Sequence, residues 1–332
     1  MNTRRLGVSG PVVSEVGLGC MGMSGMYGPA DEAESIATIH EAIDRGINLL
    51  DTGDFYGMGH NEMLIGRAIA GKRDKVLLSV KFGAMRAPSG AFVGVDTRPA
   101  SVKNFAAYTL KRLGTDYIDV YRPSRLDVSV PIEETIGAIA ELVKEGYVRH
   151  VGLSELSADT VRRAKVIHPI VDLQIEYSLV SRGIEQHTLP ALRELGIGVT
   201  AYGLLSRGLL SRSKLAPTND LRAHFPRFTA ENLQKNTRLV DTLETIARER
   251  GMTGVQLAIA WVFHQGKDIV PLLGSRTRKQ LGEAMGALEV RLTAGDLKRI
   301  ADAIPAGSVA GTRYDARQMA MLDSERNAKA MS

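Results

Sequence analysis

A repeated alternation of short apolar segments with amphipathic helical segments is the feature that most constrains the fold of this 332-residue chain. The apolar segments are nearly continuous, which is typical of strands in a parallel sheet whose outer face is covered by helices. Strands are predicted at residues 15–20, 47–51, 76–81, 117–121, 148–154, 171–176, 198–202 and 268–274. Helices are predicted near residues 31–45, 61–70, 99–113, 132–145, 158–167, 184–194, 232–250 and 277–288, with a further apolar helical run at 255–263.

Eight strand–helix units around a closed core make a (β/α)8 TIM barrel, an α/β fold whose functional site lies on the loops that follow the strands. An open doubly wound sheet is the alternative. That fold would want a Gly-rich dinucleotide fingerprint after its first strand, and the spacing of Gly17, Gly19 and Gly22 does not fit it. We therefore expect one barrel domain over residues 1–332, with an N-terminal β-hairpin at about 3–14 and long loops at the carboxyl face.

Two segments interrupt the alternation of strands and helices. The connection between residues 202 and 232 is long, contains Ser, Arg and Pro, and carries its own apolar residues. A connection of that length in a compact barrel is usually a binding loop or a lid. The C-terminal tail, about residues 307–332, is only weakly periodic. We expect the tail either to lie over the barrel mouth or to be partly mobile.

Composition excludes several classes of function. The 42 Lys and Arg residues against 37 Asp and Glu give a net charge of only +5, and no basic stripe with interleaved aromatic residues occurs, so nucleic acid is not an expected partner. Cys20 is the only cysteine, which excludes an intrachain disulfide and a cysteine-based zinc site; no metal is predicted. The sequence shows no signal peptide and no 18-residue apolar run, so we expect a cytoplasmic protein without a membrane partner. A homo-oligomer is left open.

An acid, a phenol and an amine follow neighbouring predicted strands. Asp51 ends one strand, Tyr56 lies on the loop above it, and Lys81 ends the next strand. Taken singly, these residues could be a helix cap, a rim aromatic and a surface lysine. Together at adjacent strand ends they predict chemistry, because a nearby ammonium favours the phenolate and a carboxylate paired to that ammonium fixes its position. Such a tyrosine can act as a general acid towards a carbonyl oxygen.

At these residues the sequence resembles the aldo-keto reductase superfamily, over nearly the whole chain. The resemblance rests on Lys81 and on spaced motifs in the family's order: DTGDFYG at 51–57, GLSE at 152–155, LQIEYSL at 173–179, AYGLLSRG at 201–208 and PLLGSR at 271–276. The resemblance implies a (β/α)8 barrel with a hairpin closing its bottom, NADPH (or NADP+) bound without a Rossmann domain, and reversible interconversion of carbonyls and alcohols. It also implies that Tyr56 is the proton donor, that Lys81 lowers the pKa of Tyr56, and that Asp51 pairs with Lys81.

The resemblance further implies a set of cofactor-binding residues. Ser154 and Gln174 match positions that hold the nicotinamide carboxamide, and Tyr202 the position that stacks on its ring. Residues 203–209 match the segment around the pyrophosphate, and 274–276 the loop that receives the adenosine 2′-phosphate, where a guanidinium can bind bidentately. The complete expected set is Gly19, Cys20, Met21, Asp51, Ser154, Glu155, Gln174, Tyr202, Gly203, Leu204, Ser206, Arg207, Gly208, Leu209, Gly274, Ser275, Arg276, Gln280, Glu283 and Ala284.

The chain departs from the family pattern at several of these positions. Glu155 stands where the family often has Asn, and Gln280 and Ala284 stand where it commonly has Arg and Asn, which removes one phosphate cation and one adenine contact. NADPH remains favoured over NADH through Arg276. Ser124 stands where the family has its fourth catalytic residue, a histidine that orients the substrate carbonyl. This replacement predicts altered substrate choice or slower turnover.

Sequences of a subset with pyridoxal reductase-like members also lack that histidine before an Arg-x-Asp, here residues 125–127, and share the following VPIEET at 130–135. The first hypothesis is therefore an NADPH-dependent oxidoreductase of pyridoxal or other aromatic or small aldehydes and ketones. A second hypothesis is a regulatory or sensor module that binds NADPH with little turnover. A third is a barrel aldolase that uses Lys81 as a Schiff-base amine.

Overall fold

The computed structural model describes residues 1–217 and 220–325 of the chain. In chain order its strands are β1 (Thr3–Arg5), β2 (Val12–Ser14), β3 (Gly17–Gly19), β4 (Leu49–Gly53), β5 (Leu77–Phe82), β6 (Ala84–Arg86), β7 (Phe92–Val95), β8 (Ile118–Pro123), β9 (Val148–Ser154), β10 (Ile170–Glu176), β11 (Gly198–Tyr202) and β12 (Ile269–Gly274). Strands β3, β4, β5, β8, β9, β10, β11 and β12 follow one another around a closed, all-parallel barrel. The predicted (β/α)8 barrel is confirmed.

Helices cover the outer face of the barrel. They are α1 (Glu32–Asp44), α2 (His60–Ala68), α3 (Pro99–Leu113), α4 (Ile132–Lys144), α5 (Ala158–Ile167), α6 (Thr188–Leu195), α7 (Ala230–Glu249), α8 (Gly254–Phe263), α9 (Arg278–Met285), α10 (Ala294–Ala303) and α11 (Ala316–Ala320). The main core lies between these helices and the strands. Within the described residues, no helix combines the length and the apolar character needed to cross a membrane.

The strand that carries Asp51 lies two residues further along the chain than predicted. Residues 47 and 48 belong to the preceding turn, because the Ile47 amide bonds to the end of α1 and the Asn48 side chain accepts from the Ser14 amide. The pairing with β5 instead continues through Thr52 and Gly53. The prediction that Asp51 ends its strand is therefore wrong. Asp51 lies in the middle of β4, inside the barrel wall.

The N-terminal hairpin closes the bottom of the barrel. Strands β1 and β2 pair antiparallel, with Thr3 opposite Ser14. Leu6 and Val13 from this hairpin pack, fully buried, against a small apolar cluster contributed by β4, β8, β10 and β12. The hairpin expected at residues 3–14 is confirmed, and it leaves the carboxyl face as the open end of the barrel.

Strands β6 and β7 and helices α10 and α11 were not predicted. Strands β6 and β7 form a second hairpin after β5, on the carboxyl face, and their turn at Gly90 has a positive φ of 83° that favours glycine. Helix α10 begins with a capping box between Thr293 and Asp296, a signal that the sequence does contain.

The long connection and the tail both lie at the carboxyl face. The connection folds into short 3-10 turns at Ser206–Gly208, Leu221–His224 and Pro226–Phe228; residues 218 and 219 lie outside the described part. The tail returns over the barrel mouth as expected, where Arg313 and Ser324 donate to Glu155. Residues 326–332 lie outside the described part of the chain. The organisation of residues 1–332 as one domain stays a prediction.

Candidate active site

Asp51 and Lys81 form a buried ion pair on adjacent strands. Lys81 Nζ lies 2.6 Å from Asp51 Oδ1, and both residues are only 4% exposed. The other carboxylate oxygen of Asp51 accepts from Ser79 Oγ at 2.9 Å and from Gln174 Nε2 at 2.6 Å. Burial lowers the pKa of Lys81, and the Asp51 carboxylate opposes that change. The pairing predicted from the sequence is present, and it holds the ammonium in a fixed position.

Tyr56 lies directly above this pair. It begins the 3-10 turn Tyr56–Gly59, is almost fully buried, and its ring centroid is 5.1 Å from Lys81 Nζ. Burial raises the pKa of Tyr56 well above 10, Asp51 adds to that rise, and Arg125 opposes it. That Lys81 lowers this pKa stays a prediction, because burial sets the direction of the shift in this arrangement. A phenol with a raised pKa stays protonated at neutral pH and can donate a proton.

Ser124 and Arg125 follow β8, next to the strand that carries Lys81. Ser124 is 1% exposed, and its Oγ has no hydrogen-bond partner among the described residues. Arg125 Nη1 donates to the Ser124 carbonyl at 2.6 Å, and Arg125 Nη2 donates to the Tyr314 hydroxyl at 3.1 Å. The position where the family has histidine thus carries a free, buried hydroxyl beside a guanidinium.

Two serines at expected cofactor positions also have free hydroxyls. Ser154 ends β9 and Ser275 follows β12; each is at most 3% exposed. Neither Oγ has a hydrogen-bond partner within the described residues. Buried polar atoms without partners are rare in folded proteins and mark a place for an unseen ligand or water. These two hydroxyls lie where the nicotinamide carboxamide and the adenosine phosphate are expected.

Glu155, whose contact with the cofactor stays a prediction, is bound by the C-terminal tail. Its fully buried carboxylate accepts from Arg313 at 2.8 and 2.6 Å, from Ser324 at 2.7 Å and from the Tyr202 hydroxyl at 2.7 Å. Burial alone would raise the pKa of Glu155, but the Arg313 charge outweighs it and holds the pKa far below its usual range. With these partners the Glu155 carboxylate stays ionised and joins β9 to the tail.

Gln174 and Tyr202 face the same region from the next two strands. The Gln174 amide nitrogen is committed to Asp51, as described above. The Tyr202 hydroxyl donates to Glu155 and lies 3.3 Å from the Tyr314 hydroxyl. Gln174 thus contacts the acid–lysine pair, whereas Tyr202 contacts Glu155, and the predicted contacts of both residues with the nicotinamide stay predictions.

The segment after β11 has a constrained backbone. Gly203 has a φ of 70°, and a Cβ there would lie 3.0 Å from Glu176 Cγ, so only glycine fits. Ser206 and Arg207 also have positive φ, which costs energy for residues other than glycine and often marks functional loops. Arg207 pairs with Glu176 at 3.1 Å. The rest of the expected segment follows: Leu204 and Leu209 are buried in apolar clusters and Gly208 has a φ of 93°.

The residues expected to bind the adenosine end of the cofactor lie at the end of β12 and along α9. Gly274 is exposed at the end of β12, and the Arg276 guanidinium donates to the carbonyls of Tyr27 at 3.1 Å and Pro29 at 3.2 Å. The Gln280 side chain accepts from the Arg276 amide at 3.1 Å. Farther along α9, the Glu283 carbonyl accepts from Gln256, and Ala284 packs into the core.

The loop after β3 begins next to Asp51, because Gly19 is paired with Asp51 in the barrel. Gly19 ends β3, and the buried Cys20 donates its amide to the Asp51 carbonyl at 3.0 Å. The Cys20 carbonyl accepts from the Asn61 side chain at 2.9 Å, and this bond joins the loop to α2. Burial raises the pKa of the Cys20 thiol far above its usual range, so the thiol is unreactive. Met21 begins the next 3-10 turn.

Sequence reasoning missed several residues of this site. Arg313 and Tyr314 come from a tail with no periodic signal, and their contacts with Glu155 and Tyr202 are created only by the fold. Arg122 and Asp172 form a second, fully buried ion pair inside the barrel, 3.1 Å apart. The sequence did contain a signal for that pair, because Arg122 and Asp172 are charged residues within strands that are otherwise largely apolar. Within the described residues, no group of His, Cys, Asp or Glu could hold a metal ion.

Comparisons with known proteins agree with this architecture. A family profile described as the aldo/keto reductase family matches residues 15–305. The chain is 45% identical over 318 residues to probable aldo-keto reductase 1 of Glycine max, covering 93% of this chain and 91% of that protein. Among solved structures, the glycerol dehydrogenase of Gluconobacter oxydans superposes with a TM-score of 0.81 at 31% identity, over 91% of this chain and 94% of the other. The holo form of an aldo-keto reductase from Bacillus halodurans gives 0.77 at 30%, over 92% and 97%.

Proposed function

The chain belongs to the aldo/keto reductase family, and on that premise we propose that it is an NADPH-dependent reductase in which Tyr56 gives the proton to the carbonyl oxygen. Membership in the family makes the protein an oxidoreductase that acts on carbonyl groups of small molecules. The identity of the nucleotide, the role of Tyr56 and the substrate are the proposal.

The observation that carries the proposal is the stack of Tyr56 over the buried pair of Lys81 and Asp51. A carbonyl oxygen that gains negative charge needs a proton from a nearby donor, and Tyr56 keeps its proton at neutral pH. The Lys81 ammonium, 5.1 Å from the phenol ring, stabilises the phenolate that remains after transfer. Asp51 keeps the ammonium in place, and the cost of burying both charges is reduced by the bonds from Ser79 and Gln174.

The free hydroxyls fit the cofactor that the family implies. NADPH supplies the hydride when it is bound. Ser154 can donate to or accept from a carboxamide near Tyr56, and Ser275 can donate to a phosphate. Arg276 follows Ser275 and supplies the positive charge that distinguishes a 2′-phosphate from a ribose hydroxyl. These contacts support NADPH over NADH.

The proposed substrate class depends on Ser124, which stands where the family has a histidine. Ser124 is shorter than histidine, and its buried hydroxyl has no partner among the described residues, so the substrate carbonyl is oriented differently from the family pattern. Aromatic aldehydes, with pyridoxal as the first candidate, and small aldehydes are therefore proposed as substrates. The relative from Gluconobacter oxydans is a glycerol dehydrogenase, so alcohol oxidation by the same residues belongs to the same proposal.

A panel assay tests this function. NADPH and NADH oxidation would be followed by absorbance with pyridoxal, simple aldehydes, ketones and quinones. We expect turnover with NADPH on at least one aldehyde and weaker turnover with NADH. If the protein binds NADPH tightly yet turns over no member of the panel, the reductase proposal fails and a cofactor-binding sensor becomes the better account.

The cofactor contacts are tested separately by fluorescence titration of NADPH. Ser154→Ala and Ser275→Ala each remove one hydrogen bond, so each should weaken binding by about 3- to 10-fold. Ser129→Ala, on an exposed turn after β8, is the matched control and should leave binding unchanged. Unchanged affinity in both site variants would contradict the proposed cofactor position.

A further inference from the structure

Four arginines surround the barrel mouth, and three of them have carboxylate partners. Arg207 and Arg227 pair with Glu176 at 3.1 and 3.3 Å. Arg313 pairs with Glu155 at 2.6 Å and with Glu325 at 2.9 Å. Within each pair the guanidinium and the carboxylate neutralise each other, which reduces the cost of removing both charges from water.

Arg125 is the exception. Among the described residues, no carboxylate lies within 4.0 Å of its guanidinium, although the residue is partly buried in the mouth. Its two contacts are the Ser124 carbonyl at 2.6 Å and the Tyr314 hydroxyl at 3.1 Å, and both are formally neutral. Arg125 is thus a cation of the mouth that has no direct counter-ion among the described residues.

The Tyr314 hydroxyl occupies the position that a counter-ion would take. It lies 3.1 Å from Arg125 Nη2 and 3.3 Å from the Tyr202 hydroxyl, and the Arg207 guanidinium covers its ring at 4.3 Å. Burial raises the pKa of Tyr314, but the charges of Arg207 and Arg125 outweigh burial and lower it. The surroundings of this oxygen therefore favour negative charge.

Arg125 is also close to the reacting end of the site. It lies two residues after β8, and β8 pairs with β5 so that Arg122 is opposite Lys81. Its charge acts on Tyr56 strongly enough to oppose the rise in the pKa of that phenol. A substrate whose carbonyl meets Tyr56 would therefore extend towards Arg125.

We propose that Arg125 binds an anionic group of the substrate, a carboxylate or a phosphate, at the position now taken by the Tyr314 hydroxyl. The preferred substrates are then aldehydes that carry a negative charge remote from the carbonyl. This inference rests on the proposed reductase function for its chemistry. It assigns Arg125 as a specificity-determining residue and Tyr314 as the group that covers it.

Matched substrate pairs test the inference. The first pair is 4-carboxybenzaldehyde and its methyl ester; the second is pyridoxal 5′-phosphate and pyridoxal, which separates phosphate from carboxylate recognition. Wild type should favour the anionic member of at least one pair by about 10- to 100-fold in kcat/KM, mainly through KM, as expected for a charged hydrogen bond. Arg125→Gln should bring the ratio of the two kcat/KM values close to one, whatever its effect on the absolute rates.

The matched control is Arg163→Gln, an exposed arginine on α5 that pairs with Glu133 and changes the net charge equally. It should keep the wild-type ratio. A ratio near one in wild type, or a ratio that Arg125→Gln leaves intact, would overturn the inference. If Arg125→Gln does not fold, Arg125→Lys keeps the charge without the planar fork and should retain only part of the preference.

A binding measurement separates this inference from the reductase proposal. Calorimetric titration of wild type and Arg125→Gln, both with NADP+, would use both substrate pairs. Tighter binding of an anionic member that disappears in Arg125→Gln supports the anion site even if no aldehyde is turned over. Equal binding of the two members of both pairs to wild type overturns the anion site even if the protein proves to be a reductase.

Discussion

Asp54, three residues after Asp51, has an unusual environment. It is 8% exposed; its Oδ2 accepts weakly from the Gly83 amide at 3.3 Å, and its Oδ1 has no partner in the described part of the chain. Burial, with a smaller contribution from the Glu62 carboxylate, raises the pKa of Asp54 to about 7. The folded state thus holds a proton on this carboxyl group that the unfolded chain releases near pH 4.

This raised pKa predicts a pH dependence of stability. Between the unfolded pKa and about 7 the folded state binds more protons, so the free energy of unfolding falls as pH rises through that window. Asp54→Asn removes the effect: relative to wild type, the variant should gain on the order of 2–4 kcal/mol between pH 5 and pH 8. Urea unfolding at both pH values measures it, with exposed Asp302→Asn on α10 as control. Parallel pH profiles for wild type and Asp54→Asn would contradict the assignment.

Between elements, a buried ion pair links the tail to Glu155, directly after β9. Glu155 has a positive φ of 54°, which turns its carboxylate inward to meet Arg313. The tail is further held by Asn236, which exchanges hydrogen bonds with Ala310, and by Arg207, which donates to the Arg313 carbonyl. The position of the tail over the mouth therefore depends on one buried ion pair and a few bonds around it.

Removing one partner of that pair should be costly. Arg313→Gln leaves the buried Glu155 carboxylate without its main counter-charge, which we expect to cost about 3–5 kcal/mol or to release the tail. The double variant Glu155→Gln with Arg313→Gln should recover much of that loss, because no buried charge remains unpaired. Thermal unfolding and limited proteolysis within residues 305–325 measure both effects. A double variant as unstable as Arg313→Gln alone would show that the pair is not what holds the tail.

This link also shows where sequence reasoning stops. The acid, the phenol and the lysine were found because each lies near a strand end, and the barrel brings neighbouring strand ends together. Arg313 is separated from Glu155 by 158 residues and lies in a segment without periodicity, so nothing local predicts their contact. The same holds for the raised pKa of Tyr56: the charges could be listed from the sequence, but the degree of burial that decides the direction could not.

In the molecule as a whole, the apolar closure of the barrel and the proposed catalytic residues lie at opposite ends. The hairpin and its small apolar cluster close the bottom, and the proposed catalytic residues lie towards the carboxyl face. The fold class could be predicted because eight continuous apolar segments leave few other architectures. The unpredicted β6–β7 hairpin belongs to a loop, where the strand–helix alternation carries no information.

A substitution at the bottom should therefore change stability and leave activity intact. Leu6 is fully buried in the bottom cluster, so Leu6→Ala should lower the free energy of unfolding by about 2–5 kcal/mol. Val8→Ala, in the same hairpin at 75% exposure, should change it by less than about 0.5 kcal/mol. Urea unfolding and steady-state kinetics below the unfolding transition measure both. A fall in kcat that matches the loss of stability would contradict the separation of the two ends.

The most direct test of the account compares wild type with Tyr56→Phe, using NADPH oxidation with the best aldehyde of the panel and NADPH binding by fluorescence. Phenylalanine keeps the ring above Lys81 but cannot donate a proton, so we predict that kcat falls by about 10²- to 10⁴-fold while the NADPH dissociation constant changes by less than about threefold. Turnover that survives in Tyr56→Phe, or cofactor binding lost together with turnover, would contradict the assignment of Tyr56 as the proton donor.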